Sequence, residues 1–363
     1  MKRSISLLLC LALLAGVFAG CATAPAPSQA SQAPASEAAP APSEDAAPAE
    51  EPAAQAEASV PTGDKPIALL IPSPVGDPFI ALCVKGLEKL SAETGAELKI
   101  IETLDKAEYE DQVRAMAELG ANPVYCMWGD LSELAVKVAP EYPDTKFILA
   151  DVYMKTNEPN VSSISVDPYA SSFIAGYLAA NTTEAKKVGF IAHADRPVSR
   201  RYRDGFIAGV HHVDENIPVE VAYVGNDQDP VKGQEVAKLM IQNNGVDLIF
   251  QSASRSGLGV IAGCADQGIK CIGSDDYQGD VDPCVFWSAL KPFDEALYVE
   301  GKSVFDGTYE SGDKAYGLAQ GLPMYDQRDF DKLPKELQDG VLEIVEGIKN
   351  GTIQVTEDEN VVK

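Results

Sequence analysis

The chain has 363 residues and a formal net charge of −26, because 55 acidic residues outnumber 29 basic ones. A field of this sign repels nucleic acid and anionic membrane surfaces, so we expect neither polyanion as a partner. The hydrophobic content of 45% supports a buried core, and no apolar run after Phe18 is long enough to span a bilayer.

The first 21 residues have the pattern of an export signal. Lys2 and Arg3 provide a basic start, and an apolar run follows up to Phe18. The tetrapeptide FAGC is typical of a lipobox, in which Cys21 is acylated, although Leu is usual where Phe18 stands. We expect a lipid anchor at Cys21 on the extracytoplasmic face of the cell membrane, with a plain secretory signal as the alternative.

Residues 22–63 consist almost wholly of Ala, Pro, Ser and Glu and contain no aromatic or basic residue. Such a segment buries too little apolar surface to offset its chain entropy, so we predict a disordered tether. About 300 residues remain, which is enough for two lobes of ordinary domain size.

Strand-like apolar runs then alternate with amphipathic helical stretches. This alternation predicts an α/β fold with parallel sheets, in which ligands bind beyond the carboxyl ends of the strands. The predicted strands are 67–71, 97–101, 123–127, 146–150, 188–192, 219–224, 248–251, 271–273 and 285–290, and the predicted helices include 79–94, 109–119, 131–138, 201–212 and 230–243. We expect the chain to pass between the two lobes at a short strand from Val161 and a small-residue helix around Gly176.

The sequence after residue 63 contains no phosphate-binding glycine loop, no HExxH and no GxSxG. We therefore predict that the protein is not an enzyme and binds no cofactor. The five cysteines of this part lack metal-ligand spacing, and we expect buried free thiols and no metal. A disulfide between Cys271 and Cys284 is the alternative. Four acidic residues at 275, 276, 280 and 282 raise the question of calcium, but their spacing does not fit an EF-hand loop.

Several short motifs follow one another over residues 66–355. They are a helix that starts near Glu108, VAPEYPDTKFILAD, which ends at Asp151, SSFIAGYLAA from Ser171 and RDGFIAGV from Arg203. Their shared order resembles that of the basic membrane protein family of nucleoside-receptor lipoproteins, in which kvAkeyPdvkFaiiD and gaFLAGYLAA are the segments similar to the second and third motifs.

The resemblance implies a two-lobed periplasmic-binding-protein fold of type I, with two Rossmann-like lobes joined by a three-crossing hinge. By analogy, the first lobe comprises residues 64–184 and 285–319, and the second comprises 185–284 and 320–363. The implied function is that of a substrate-binding component of an ABC importer, which binds a purine nucleoside between its lobes and delivers it to a permease. We expect a monomer.

In the first lobe, the resemblance places a carboxylate at Asp77, a base-stacking ring at Phe79 and a base-binding carboxylate at Asp151. A cap and a core residue are the alternatives for Asp77 and Phe79, and a turn residue for Asp151. Ile80 replaces the family's usual Asn. Trp128, at a strand end, is a further candidate for the wall of the cleft, or else a core residue.

In the second lobe, Phe250 is the expected opposite face of an aromatic sandwich. Asp275, also in this lobe, matches a family position that binds ribose hydroxyls, and Lys291, which the predicted boundaries place in the first lobe, would hold the sugar from the other side. Arg255 stands in a loop that is Gly-rich in the family, where its planar cation could bind a carboxylate or phosphate or stack on a ring.

Three alternatives remain open. Arg255, Ile80 and Trp287, which stands where the family usually has a small residue, suggest riboflavin or another flat heterocycle. A lipoprotein that senses a ligand for a membrane receptor has the same sequence features. A nucleoside hydrolase would need an N-terminal Asp cluster, of which only Asp77 is present.

Overall fold

A computed structural model describes residues 64–354, so Cys21, its lipobox and the predicted tether lie outside the described residues. The strands are β1 (Ile67–Ile71), β2 (Leu98–Glu102), β3 (Val124–Met127), β4 (Phe147–Ala150), β5 (Val161–Val166), β6 (Val188–Ala192), β7 (Val219–Tyr223), β8 (Leu248–Ser252), β9 (Lys270–Asp275), β10 (Val285–Leu290) and β11 (Gly312–Tyr316). The helices are α1 (Pro78–Thr94), α2 (Tyr109–Glu118), α3 (Trp128–Val138), α4 (Tyr169–Thr182), α5 (Pro197–Val213), α6 (Pro230–Asn244), α7 (Ser254–Gln267), α8 (Phe293–Phe305), α9 (Gln327–Phe330) and α10 (Lys335–Lys349).

The strands form two parallel sheets, each covered by helices, as the sequence predicts. The first sheet has six strands in the order β11-β5-β4-β3-β1-β2, and the second has five in the order β10-β9-β8-β6-β7. Strand β1 reads IALLI and is buried at every position, because helices cover both faces of the sheet.

The ends of helix α1 follow local rules. The Asp77 carboxylate accepts hydrogen bonds from the backbone N–H groups of Phe79 and Ile80, and Pro78 occupies the first turn. The helix ends at Gly95, whose φ of 73° is the left-handed conformation that glycine adopts at little cost. The Asp77 cap fixes the first turn of α1 at the carboxyl end of β1.

The chain passes between the lobes three times, after β5, after β10 and after β11. Two predicted boundaries are wrong. Strand β10 pairs with β9, so residues 285–290 belong to the second lobe and the second passage comes after them. Helix α4 packs on α5, β10 and α10, so the first passage follows Val166 and not residue 184.

Helices α4 and α5 approach each other closely because glycines line their contact. A Cβ on Gly176 would lie 2.1 Å from the Phe206 carbonyl oxygen, and one on Gly209 would lie 2.0 Å from that of Phe173. These distances leave no room for a side chain, so any substitution would force the two backbones apart.

All five cysteines in the described part are free thiols, and four of them are buried. Over residues 64–354 no group of three or more His, Cys, Asp or Glu side chains could hold a metal ion. Within the same range, none of the helices has the length and apolar character that a membrane crossing requires.

Candidate functional site

A cavity of about 500 Å³ lies where the carboxyl ends of the strands of both sheets face each other. This volume is in the range of small-molecule sites. Six of the eight predicted site residues line it, namely Asp77, Phe79, Trp128, Asp151, Asp275 and Lys291.

The backbone around the cavity is strained at four strand ends. Trp128, Asp151, Ser254 and Asp275 have φ values of 62°, 59°, 50° and 70°, and they are four of the five non-glycine residues with positive φ in the described part. All four line the cavity. Each such conformation costs about 1–3 kcal/mol and clusters at functional sites, where it re-aims a side chain.

Lys291 joins two of the predicted residues. Its Nζ lies 2.6 Å from Asp151 Oδ1, and only 3% of its side chain is exposed. The other oxygen of Asp151 accepts a hydrogen bond of 3.2 Å from Trp128 Nε1. The ammonium also lies over the ring of Phe79, 4.6 Å from its centroid. The resemblance implies opposite ends of the ligand for Asp151 and Lys291, whereas the structure puts them in contact.

Asp275 ends β9 close to this pair. Its Oδ1 accepts a hydrogen bond from the Tyr202 hydroxyl, and Ser274 Oγ lies 3.3 Å from its Oδ2. Burial raises the pKa of Asp275 above its ordinary value, although the Lys291 charge and the Tyr202 hydrogen bond oppose the shift. Burial removes water from the Asp275 carboxylate. Hydrogen bonds donated by ligand hydroxyls would replace that hydration and stabilise the ionised form.

A second polar group of the cavity surrounds His193. Arg196 and Asp227 also line the cavity there. Burial, and then the charge of Arg196, lower the pKa of His193, so the imidazole is neutral near pH 7. A neutral imidazole both donates and accepts hydrogen bonds, which suits the edge of a heterocycle.

Phe250 is not part of the cavity wall, and the predicted aromatic sandwich is wrong. Its side chain is fully buried in the core of the second lobe, with its ring centroid 5.6 Å from that of Phe190 and 5.2 Å from that of Phe206. Strand β8 continues to Ser252, so Phe250 lies two residues before the strand end that reaches the cavity.

Arg255 also lies outside the cavity lining. Its side chain is exposed at the mouth of the cleft, where Nη1 would be 3.9 Å from a Cβ placed on Gly76. Two further residues that suggested a flavin, Ile80 and Trp287, are fully buried in the cores of the lobes. None of the three residues behind the flavin hypothesis contacts the cavity.

Sequence reasoning missed several lining residues. His193 directly follows β6. Because ligands bind beyond the carboxyl ends of parallel strands, this position alone could have identified it as a site residue. Tyr202 comes from the second turn of α5, and Tyr153 comes from the irregular segment after β4, where no local pattern marks them. Val152 and Met154 flank Tyr153 and give this side an apolar wall.

The cavity combines an acidic lining with aromatic walls. Four carboxylates line it, whereas Lys291 and Arg196 are the basic side chains among its lining residues. Such a surface repels phosphate groups and accepts hydrogen bonds from hydroxyl and amino groups. The rings of Phe79, Trp128, Tyr153 and Tyr202 offer apolar contact to a flat group.

Comparison with known proteins agrees with this architecture. The family described as ABC transporter substrate-binding protein PnrA-like matches residues 65–359. Basic membrane protein D of Borreliella burgdorferi is 29% identical over 283 residues, which are 76% of this chain and 82% of that protein. An ABC transporter nucleoside-binding protein of Lactococcus lactis is 28% identical over 156 residues, 43% of this chain and 44% of that protein.

The fold is also found in a solved ABC transporter solute-binding protein from Aeropyrum pernix. That structure has a TM-score of 0.66 and 23% identity, and the match covers 81% of this chain and 95% of that one. The fold of two parallel-sheet lobes is thus shared with that solved protein. The chain belongs to the family of PnrA-like ABC transporter substrate-binding proteins.

Proposed function

We propose that the protein is a lipid-anchored receptor that binds a purine nucleoside in the interlobe cavity and delivers it to an ABC permease. The observation that carries this proposal is the pairing of acidic acceptors with aromatic walls in one cavity of about 500 Å³. A nucleoside has a flat base, which can stack on rings, and a ribose whose hydroxyls donate to carboxylates.

The acidic lining supports a nucleoside over a nucleotide. A phosphate brought into a cavity with four carboxylates and two basic side chains would meet net repulsion in a medium of low dielectric. In our assignment Asp275 and Lys291 hold the ribose, with Asp151 orienting the ammonium of Lys291. Phe79 and Trp128 contact the base, and the neutral imidazole of His193 donates to or accepts from its edge.

Ligand binding between two lobes favours the closed arrangement, because contacts from both sides form at once and water is excluded. The permease would then recognise the closed receptor. The relative from Lactococcus lactis, whose name records nucleoside binding, supports this ligand class.

Isothermal titration calorimetry tests the proposal. We expect binding of inosine, guanosine or adenosine, and at least a hundredfold weaker binding of guanosine monophosphate (about 2.7 kcal/mol). Riboflavin serves as a flat ligand of a different class. Absence of heat with all three nucleosides, or equal affinity for the monophosphate, would overturn the nucleoside assignment while leaving the substrate-binding fold unaffected.

A further inference from the structure

A hydrogen bond crosses the cleft between the lobes. Gln228 Nε2, from the segment between β7 and α6, donates to Asp77 Oδ2 at 2.9 Å. Asp77 belongs to the first lobe, at the start of α1, and Gln228 belongs to the second. We propose that Asp77 and Gln228 form a clasp that holds the lobes closed, so that Asp77 serves closure and not ligand recognition.

Both oxygens of Asp77 are already engaged. Oδ1 accepts from the backbone N–H groups of Phe79 at 2.9 Å and Ile80 at 3.3 Å, while Oδ2 accepts from Gln228. Only 3% of Asp77 is exposed. The helix cap fixes the carboxylate, so its second oxygen faces Gln228 without further loss of rotamer entropy.

The partner is fixed as well. The buried Ser256 at the start of α7 accepts from the backbone N–H of Asp229 at 2.8 Å and donates to the Asn226 carbonyl at 2.7 Å. Its own backbone N–H donates to the carbonyl of Asp227 at 3.0 Å. These three bonds hold the segment that carries Gln228. A bond between two pre-ordered groups retains more of its free energy than one between mobile side chains.

The topology places the clasp far from the passages between the lobes. Strand β7, which precedes Gln228, lies four strands away from β10, where the chain leaves the second sheet. Strand β1, which precedes Asp77, lies three strands away from β5, where the chain leaves the first sheet. At about 4.8 Å per strand these offsets are roughly 14–19 Å, so a small rotation at the passages would break the bond.

The inference deepens the proposed function and rests on it for the choice of ligand. Gln228→Ala removes the donor, and Asp77→Ser keeps a helix cap but is too short to reach Gln228. Gln234→Ala is the matched control, because Gln234 donates to Asp266 within the second lobe and across no cleft. The double variant, Asp77→Ser with Gln228→Ala, completes the cycle.

We expect each clasp variant to raise the dissociation constant of inosine roughly tenfold, and the double variant to be no weaker than either single one. Additive losses would mean that Asp77 binds the ligand directly, and an unchanged affinity in Gln228→Ala would remove the clasp; either result overturns the proposal. Gln234→Ala should bind as the wild type does.

A readout without ligand separates this proposal from the nucleoside assignment. Small-angle X-ray scattering of the ligand-free chains should show a larger radius of gyration for Gln228→Ala and Asp77→Ser than for the wild type and Gln234→Ala. If no nucleoside binds but this difference is present, the clasp stands and the ligand assignment fails. Equal radii in all four chains would overturn the clasp.

Discussion

The backbone N–H of Lys291 donates to the Asp275 carbonyl at 2.9 Å, while the side chain of the same residue reaches Asp151. Lys291 is thus tied through its main chain to the end of β9 in the second lobe and through its ammonium to the end of β4 in the first. It stands at the second passage between the lobes. One buried cation therefore connects the ligand cavity with the hinge.

Replacing Lys291 by Met should lower the free energy of unfolding by about 3 kcal/mol, because a nearly buried carboxylate at Asp151 would lose its partner. Urea unfolding followed by circular dichroism measures this change. Lys89→Met is the control, since the pair of Lys89 with Glu295 is exposed and should contribute less than about 1 kcal/mol. Equal effects of the two substitutions would contradict the buried-pair interpretation.

Leucine substitutions at Phe79 and Phe250 should separate a site residue from a core residue. Phe79→Leu removes a ring that lines the cavity, so we expect a roughly tenfold loss of nucleoside affinity. Phe250→Leu alters a ring in the core, and we expect about 1 kcal/mol lower stability with affinity changed less than threefold. Calorimetry and urea unfolding of both variants check this, and a tenfold loss of affinity in Phe250→Leu as well as in Phe79→Leu would restore the sandwich.

The free energy of unfolding should depend on pH through the titration of Asp275. Burial raises the pKa of this carboxyl above 3.8, so the folded chain binds more protons than the unfolded chain in the window between 3.8 and the folded value. The free energy of unfolding that this group contributes therefore falls as the pH rises through that window. Asp275→Asn should be more stable than the wild type above the window and should lose this advantage below it.

Urea unfolding of the wild type and Asp275→Asn, from about pH 4 to about pH 8, measures the difference between their slopes. The exposed neighbour Asp276 gives the control variant Asp276→Asn, which should follow the wild type. Nucleoside affinity should increase with pH over the same window, because ligand hydroxyls donate best to the ionised carboxylate. A pH-independent affinity would contradict the assignment of Asp275 to the ribose.

The cysteines provide a test of the free-thiol state. Alkylation of the unfolded, unreduced protein should modify Cys83, Cys126, Cys264, Cys271 and Cys284. Under native conditions the half-buried Cys284 should react before the four buried thiols, although burial and the neighbouring Asp282 raise its pKa to about 12. Mass spectrometry of peptides checks both outcomes, and a Cys271–Cys284 cross-link would contradict the first.

Lipidation at Cys21 stays a prediction, and it has a direct test. A Cys21→Ser chain, expressed in a bacterium with lipoprotein processing, should move from the membrane fraction to the aqueous fraction, because the acyl anchor can no longer attach. Metabolic labelling with a fatty acid should mark the wild type alone. Persistence of the variant in washed membranes would contradict acylation at this residue.

The sequence predicted the fold well where burial dictates the pattern. Strands β1, β6 and β10 have the predicted bounds, because each is apolar and covered on both faces. Strand β11 escaped prediction, since GDKAY is a polar and partly exposed edge strand. The predicted lobe boundaries were wrong at α4 and β10, because the order of elements along the chain does not reveal which sheet a strand joins or which lobe a helix packs on.

The site was predicted where a residue ends a strand or directly follows one, as Asp275 and Asp151 do. The prediction that Phe250 lines the cavity was wrong. A parallel strand that is buried on both faces, such as β8, shows no change in its pattern where it ends, so the residues that reach the cavity are hard to identify. A difference of one residue in the predicted end of β8 was enough to misplace Phe250. Tyr153 and Tyr202 reach the cavity only because of how distant segments pack together. No local sequence pattern indicates that packing.

The glycine-lined contact of α4 with α5 has a mechanical consequence. With two backbones this close, the pair can neither slide nor tilt internally, and it transmits torque as one stiff lever. Because both helices belong to the second lobe, we expect that lobe to rotate as one body about the three passages after Val166, Leu290 and Tyr316, so that opening is a hinge motion and not a shear.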